Sequence, residues 1–91
     1  MLWLVPAAWA DEDSDRRQAA GEAYAQAQRE TLANNHVRAA ELFERAYELV
    51  PSPQALRAAL QLRQSIGHHR VAVAQAEELL RRYPYDVTSR A

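Results

Sequence analysis

The feature of this sequence that most restricts its fold is a helical segment that occurs twice and ends in proline both times. The two copies are NHVRAAELFERAYELVP (residues 35–51) and HHRVAVAQAEELLRRYP (residues 68–84), and they align at a constant offset of 33. The alignment pairs Pro51 with Pro84, and proline cannot continue the helix that precedes it. A repeat of this length predicts a chain built from successive supersecondary units, each closed by a turn.

The apolar residues of the first copy follow the periodicity of a helix. Its members at intervals of 4, 3 and 4 residues are Ala39, Phe43, Ala46 and Val50, and this spacing places them on one helix face. The small alanines in that face allow a second helix to approach closely. Good helix formers dominate the composition, and no segment alternates with the period of a β-strand. The sequence therefore predicts an all-α domain.

The same spacing resembles the second-helix signature of the tetratricopeptide repeat, Ala39-x3-Phe43-x2-Ala46-x4-Pro51 as it stands in this sequence. The repeat length of that family is also near 34 residues. The resemblance implies antiparallel helical hairpins stacked as a short right-handed α-solenoid. A generic four-helix bundle has similar apolar stripes, but it gives no reason for proline and turn residues to recur at a fixed interval.

Turn signals divide the chain into four helices. We expect them at residues 15–33, 36–50, 53–66 and 68–83. Asn34 and Gly67 suit the chain reversals within the hairpins, and Pro53 suits the first turn of the third helix. The two hairpins then span residues 19–51 and 53–84. An acidic flexible lead is expected before them, at residues 11–18, and the start of an incomplete or capping helix after them, at residues 85–91.

The first helix admits two registers. In one register its buried face carries Ala20, Ala23, Tyr24 and Ala27, and in the other it carries Tyr24, Ala27 and Thr31. The third helix is apolar on more than one side, which is typical of a helix packed between two others.

The first ten residues, MLWLVPAAWA, resemble the last part of a secretory signal. An apolar run is followed by Pro6, and the small residues Ala8 and Ala10 match the A-x-A cleavage pattern. Cleavage after Ala10 would place the protein in the bacterial periplasm or outside the cell. The apolar stretch is too short to span a membrane. The alternative interpretation is an ordinary hydrophobic tail.

Composition argues against several classes of function. The formal net charge is −1 with interleaved acids and bases, whereas a nucleic-acid surface needs an excess of basic residues. The absence of cysteine excludes disulfides, thiolate nucleophiles and zinc–thiolate sites. His68 and His69 are adjacent rather than one helical turn apart, and Glu77 and Glu78 fit a solvated helix face. We therefore predict no enzyme activity, no catalytic residue, no cofactor and no metal.

The resemblance also implies where a partner binds, because the first helix of each tetratricopeptide hairpin lines a groove that receives an extended segment or a helix of another protein. Carried onto this sequence, the groove residues are Tyr24, Gln28, Thr31, Arg57, Gln61 and Gln64. The resemblance thus predicts an adaptor or scaffold that binds a protein or peptide.

A second hypothesis is a structural or oligomerisation module. Two hairpins are fewer than repeat arrays usually need, so one apolar side of the fourth helix is expected to be partly uncovered. The residues of this docking face are Val71, Val73, Leu79, Leu80 and Tyr83. It could receive a second copy, further repeats or another domain. A regulatory appendage of a larger enzyme is a third hypothesis.

Overall fold

The computed structural model describes the backbone of residues 7–85 and the side chains of residues 11–85. Its helices are α1 (Ala7–Leu32), α2 (His36–Leu49), α3 (Pro53–Ser65) and α4 (His69–Arg82). The described residues contain no β-strand, so the predicted all-α fold with four helices is confirmed. Each helix packs mainly against its neighbours in the chain.

The turns between α1 and α2 and between α3 and α4 share one backbone geometry. Asn34 and Gly67 lie in the left-handed region, with φ of 66° and 83°. The amide of the next residue, Asn35 or His68, donates to the carbonyl oxygen five residues earlier, at 2.9 Å and 2.8 Å. This pattern satisfies carbonyl groups that the end of a helix leaves unpaired. The predicted turn residues are therefore confirmed, and the same turn recurs at the offset of the sequence repeat.

Prolines end the second helix of each pair. One non-helical residue separates the last turn of α2 from Pro51 and the last turn of α4 from Pro84. Helical geometry is disfavoured for the residue before proline, so each helix ends there. After Pro51, the Ser52 hydroxyl accepts a hydrogen bond from the amide of Ala55 at 3.1 Å, and Pro53 occupies the first turn of α3. Ser52 and Pro53 together start α3 as a capped helix.

The core lies between α1, α2 and α3 and consists mostly of alanine. Among the described residues twelve hydrophobic side chains are buried, and nine of them are alanines, so the helices can approach closely. The larger buried side chains are Leu42, Phe43 and Leu56. Because each alanine removes only a methyl group from water, burial stabilises this core less than leucines would. Polar bonds between helices are correspondingly important.

Helix α1 begins earlier than the sequence predicted. Residues 11–18, which were expected to be a flexible lead, belong to α1, and their side chains are exposed. An ion pair one helical turn apart, between Arg17 and Asp13 at 2.7 Å, supports the helix there. The backbone is also helical across the predicted cleavage point. Residues 1–6 of the predicted signal and residues 86–91 of the predicted capping helix lie outside the described residues.

The buried face of α1 agrees with the first of its two possible registers. Ala20, Ala23 and Ala27 are buried, whereas Tyr24 and Thr31 are half-buried. The Thr31 hydroxyl donates to the carbonyl oxygen of Ala27 at 2.8 Å. The half-buried pair therefore lies at the edge of the core, on the side that faces α3.

Candidate functional site

Helices α1 and α3 form the walls of a groove, and α2 forms its floor. Toward the C-terminal ends of α1 and α3 the groove contains a cavity of about 640 Å³. We call it the C-terminal cavity, and its lining residues are Gln28, Thr31, Leu32, Phe43, Ala58, Gln61, Leu62 and Ser65. The members on each wall recur at intervals of three or four residues, so each helix presents one continuous face to the cavity.

The C-terminal cavity combines an apolar floor with neutral polar groups at its edges. Phe43 forms the floor, and none of the lining residues carries a charge. The hydroxyls of Thr31 and Ser65 both donate to carbonyl oxygens of their own helices at 2.8 Å. The exposed side-chain amides of Gln28 and Gln61 make no hydrogen bond within the part of the chain that the structure describes. Each amide can therefore donate to and accept from a ligand.

A second cavity, of about 310 Å³, continues the groove toward the N-terminal ends of α1 and α3. We call it the N-terminal cavity, and its lining residues are Arg17, Ala20, Gly21, Tyr24, Ala46, Val50, Ser52 and Ala55. Both walls contribute earlier residues to this cavity and later residues to the first one. Helices α1 and α3 thus run parallel, with the two cavities in line between them.

Tyr24 separates the two cavities. Its ring packs edge-on against the ring of Phe43, with centroids 5.0 Å apart and an interplanar angle of 78°. This arrangement is favourable for aromatic pairs beyond the burial of their surface. Tyr24 also packs against both clusters of buried side chains, one beneath each cavity. The side chain therefore forms a ridge between the two cavities.

The structure brings together half of the predicted groove residues in the C-terminal cavity, namely Gln28, Thr31 and Gln61. Tyr24 lies in the same groove but lines the N-terminal cavity. Gln64 lines a separate pocket between α3 and α4. Arg57 is half-buried on α3 and does not line either cavity.

Sequence reasoning missed the four apolar residues that line the C-terminal cavity and one of its polar residues. The missed residues are Leu32, Phe43, Ala58, Leu62 and Ser65. Helical spacing carried a signal for three of them, because Leu32 follows Gln28 by four residues, and Ala58 and Ser65 flank Gln61 by three and four. On α3 the same spacing from Gln61 fits the predicted Arg57 and Gln64 equally well, so spacing alone does not select Ala58 and Ser65.

A polar cluster on the other side of α3 joins the two hairpins, and we call it the Glu44 network. Arg63 donates two hydrogen bonds to the Glu44 carboxylate, both at 2.8 Å, and Gln75 donates a third at 2.7 Å. Burial raises the pKa of Glu44, but these hydrogen bonds and the charge of Arg63 outweigh it and hold the pKa below its ordinary value. Arg63 also contacts Nδ1 of His68 at 2.8 Å. The network connects α2 to α3 and α4.

A second polar group lies beside the Glu44 network. The Tyr47 hydroxyl donates to Glu78 at 2.7 Å, and Arg82 donates to the Tyr47 oxygen at 2.8 Å. Burial and the bond to Glu78 raise the pKa of Tyr47, so the phenol stays protonated at physiological pH. These contacts attach α4 to α2. Within the described residues, no three His, Cys, Asp or Glu side chains gather closely enough to hold a metal ion.

The predicted docking face on α4 divides into two parts. Val73 and Leu80 lie seven residues apart on one side of the helix, and 57% and 64% of their surface is exposed. Val71 is also exposed, but it lines the pocket that contains the Glu44 network. Leu79 and Tyr83 are half-buried against the rest of the protein. In the part of the chain that the structure describes, no helix is both long and apolar enough to cross a membrane.

Comparisons of this chain with protein-family models, with curated proteins and with solved structures give no match. The geometry of the groove is therefore the basis for a functional proposal.

Proposed function

We propose that this chain is a non-catalytic module that binds an extended segment of a partner protein in the groove between α1 and α3. The C-terminal cavity is the observation that carries the proposal, because it has an apolar floor between two glutamine amides without partners in the described residues. An extended segment offers an apolar side chain for the floor and unpaired backbone groups for the amides. The neutral lining favours an uncharged side chain at this point.

The resemblance to tetratricopeptide hairpins supports the same proposal, since that family binds partners in the groove of its first helices. The recurrence of one turn geometry at Asn34 and Gly67 fits two stacked hairpins of a short right-handed α-solenoid. We also propose that the N-terminal segment directs export to the periplasm or beyond, with cleavage after Ala10. Sequencing the N-terminus of the protein recovered from bacterial periplasm tests this, and an intact Met1 in the exported protein would contradict it.

Removal of the two groove amides provides the test of binding. Peptides selected from a random decapeptide library on the wild-type chain should bind the Gln28→Ala/Gln61→Ala variant more weakly. Two hydrogen bonds at about 1 kcal/mol each correspond to about a thirtyfold increase in Kd. Ala58→Phe should also weaken binding, because the new ring fills the C-terminal cavity. Fluorescence anisotropy of the labelled peptides measures both effects.

Gln64→Ala is the matched control, because Gln64 is an exposed glutamine on the same helix that lines a different pocket. This variant should bind the selected peptides as tightly as the wild type does. Far-UV circular dichroism confirms that each variant keeps its helices. A peptide set that binds all these variants equally would contradict the proposal.

Self-association through α4 is a second candidate function, because Val73 and Leu80 are exposed on one side of that helix. If a second copy covers them, the mass measured by light scattering should rise with concentration. Val73→Gln with Leu80→Gln should then restore a monomer, whereas Val37→Gln, at an exposed valine on α2, should not. A constant monomer mass at high concentration, which is 10.3 kDa for the full 91-residue chain, would exclude this candidate.

A further inference from the structure

The spacing of the two cavities limits what the groove can bind. On α1 their lining residues are centred near residues 20 and 30, and on the opposite wall, formed by Ser52 and α3, near residues 54 and 62. A helix rises about 1.5 Å per residue, so the cavity centres lie about 12–15 Å apart. The ridge formed by Tyr24 stands between them.

An extended peptide matches this distance at one spacing. Such a chain advances about 3.3 Å per residue, and successive side chains point to opposite sides. Side chains at positions i and i+4 therefore point the same way and lie about 13 Å apart. Side chains at i+3 or i+5 point away from the groove. The side chain at i+2 points toward Tyr24, so this position needs a small residue.

The charges around the groove restrict the ligand further. The two cavities are lined by no carboxylate, and their one charged lining residue is Arg17 in the N-terminal cavity. Arg17 forms an exposed ion pair with Asp13, and exposed pairs contribute little to stability. A ligand carboxylate can therefore replace Asp13 as the partner of Arg17. Arg17 is the charged group that a ligand meets in the cavity lining, and it favours a carboxylate over an ammonium group at that point.

We propose that the groove recognises an extended segment with two apolar side chains four residues apart, a small residue midway, and a carboxylate two residues beyond one of them. The larger apolar side chain enters the C-terminal cavity, which has about twice the volume of its neighbour. The smaller one enters the N-terminal cavity, where the carboxylate meets Arg17. This inference rests on the proposed function and defines the spacing and charge of the ligand of that same groove.

Labelled synthetic peptides of one composition test the spacing. One peptide carries Leu and Val four residues apart, with Gly midway and Asp two residues after Val. Two others place the same residues three or five apart, and fluorescence anisotropy with the full chain measures each Kd. The four-apart peptide should bind at least tenfold more tightly than the peptides with a spacing of three or five residues. Replacing its Asp by Lys should weaken binding about fivefold to wild type but not to Arg17→Gln.

Gly21→Leu tests the N-terminal cavity separately. Gly21 lines that cavity, and a Cβ atom at this position meets no neighbouring atom within 4 Å, so the leucine can fill the cavity without a clash at its base. Because the new leucine excludes Val of the peptide, this variant should bind the four-apart peptide with the Kd that wild type has for a peptide that keeps Leu and lacks Val. Ala74→Leu, at an exposed position on α4, is the matched control and should bind like wild type.

The outcomes separate this inference from the proposed function. Equal affinities for the three spacings, together with loss of binding in Gln28→Ala/Gln61→Ala, overturn the inference and leave the proposed function standing. If a helical peptide with its apolar residues eight positions apart binds more tightly than the four-apart peptide, the proposal of an extended ligand is also overturned. No detectable binding of any peptide to the folded wild-type chain overturns both.

Discussion

Replacing Glu44 by alanine should destabilise this fold far more than replacing an exposed glutamate on the same helix. The Glu44 carboxylate accepts two hydrogen bonds from Arg63 and one from Gln75, and so holds both helices of the second hairpin against α2. Only 13% of the Arg63 side chain and 26% of the Glu44 side chain are exposed, so solvent screens the pair weakly. The alanine would leave the guanidinium and the amide without their partner.

The size of this effect follows from the partial burial of the pair. Hydrogen bonds to charged groups contribute roughly 1.5–3 kcal/mol each, and breaking a fully buried ion pair costs roughly 3–5 kcal/mol. Because water can still reach part of the Glu44 network, we expect a loss of about 2–3 kcal/mol. A chain of 91 residues has a free energy of unfolding of roughly 5–14 kcal/mol. The Tm should therefore fall by roughly 10–20 °C.

Urea titration followed by far-UV circular dichroism measures this loss. Glu41→Ala is the control, because Glu41 lies on the same helix and its 3.8 Å ion pair with Arg38 is exposed, so that this pair contributes roughly 0–1 kcal/mol. Glu44→Gln keeps the shape of the side chain, and its urea midpoint should lie between those of Glu44→Ala and Glu41→Ala. Equal urea midpoints for Glu44→Ala and Glu41→Ala would refute the structural role assigned to the Glu44 network.

Three further predictions concern stability. Burial raises the pKa of Glu44, but its hydrogen bonds outweigh burial, so the pKa in the folded protein lies below the ordinary value of 4.5. The stabilising effect of the carboxylate is therefore complete above the ordinary pKa of 4.5 and is lost as the pH falls through the lower folded pKa. Acid should reduce the urea midpoint of wild type more than that of Glu44→Gln. Gly67→Ala should lower the free energy of unfolding by about 1 kcal/mol, because φ of residue 67 is 83°. Gly21→Ala, inside α1, should raise it by about 0.5–1 kcal/mol. Changes in Tm of the same sign for the two variants would contradict this. Ala59→Leu should lower the free energy of unfolding by about 1–3 kcal/mol, because Ala59 is fully buried and the larger side chain has no space. Ala74 is exposed, so the urea midpoint of Ala74→Leu should stay near that of wild type.

The helices and turns could be predicted from the sequence because their signals act over a few residues. Prolines and residues in left-handed turns end a helix by local sterics, so the predicted bounds of α2, α3 and α4 agree with the structure to within one residue. The start of α1 had no such signal. Residues 11–18 have no apolar stripe, and their helix is supported by side-chain pairs such as Arg17 with Asp13. A charged sequence of this kind is equally typical of a solvated, flexible segment.

The face that α3 presents to the groove could not be predicted from the sequence. The predicted positions Arg57, Gln61 and Gln64 share one face, but the cavity is lined by a face rotated by about one residue, or about 100°. Only Gln61 lies at the border of both faces. Helix α3 contacts α2 on one side and α4 on another, so it is apolar in several directions. Its orientation is decided by long-range contacts such as those of Glu44 with Arg63.

The alanine-rich core and the open groove have one physical origin. Buried alanines bring α1, α2 and α3 close together, and the larger side chains Tyr24 and Leu62 are then left half-buried along the groove. Helix α4 buries only Ala72, so its attachment depends on polar bonds to Glu44 and Tyr47. A segment that fills both cavities adds the apolar contacts that this core lacks. The proposed ligand thus completes the hydrophobic packing between α1 and α3, while the polar bonds to α4 hold the second hairpin in place.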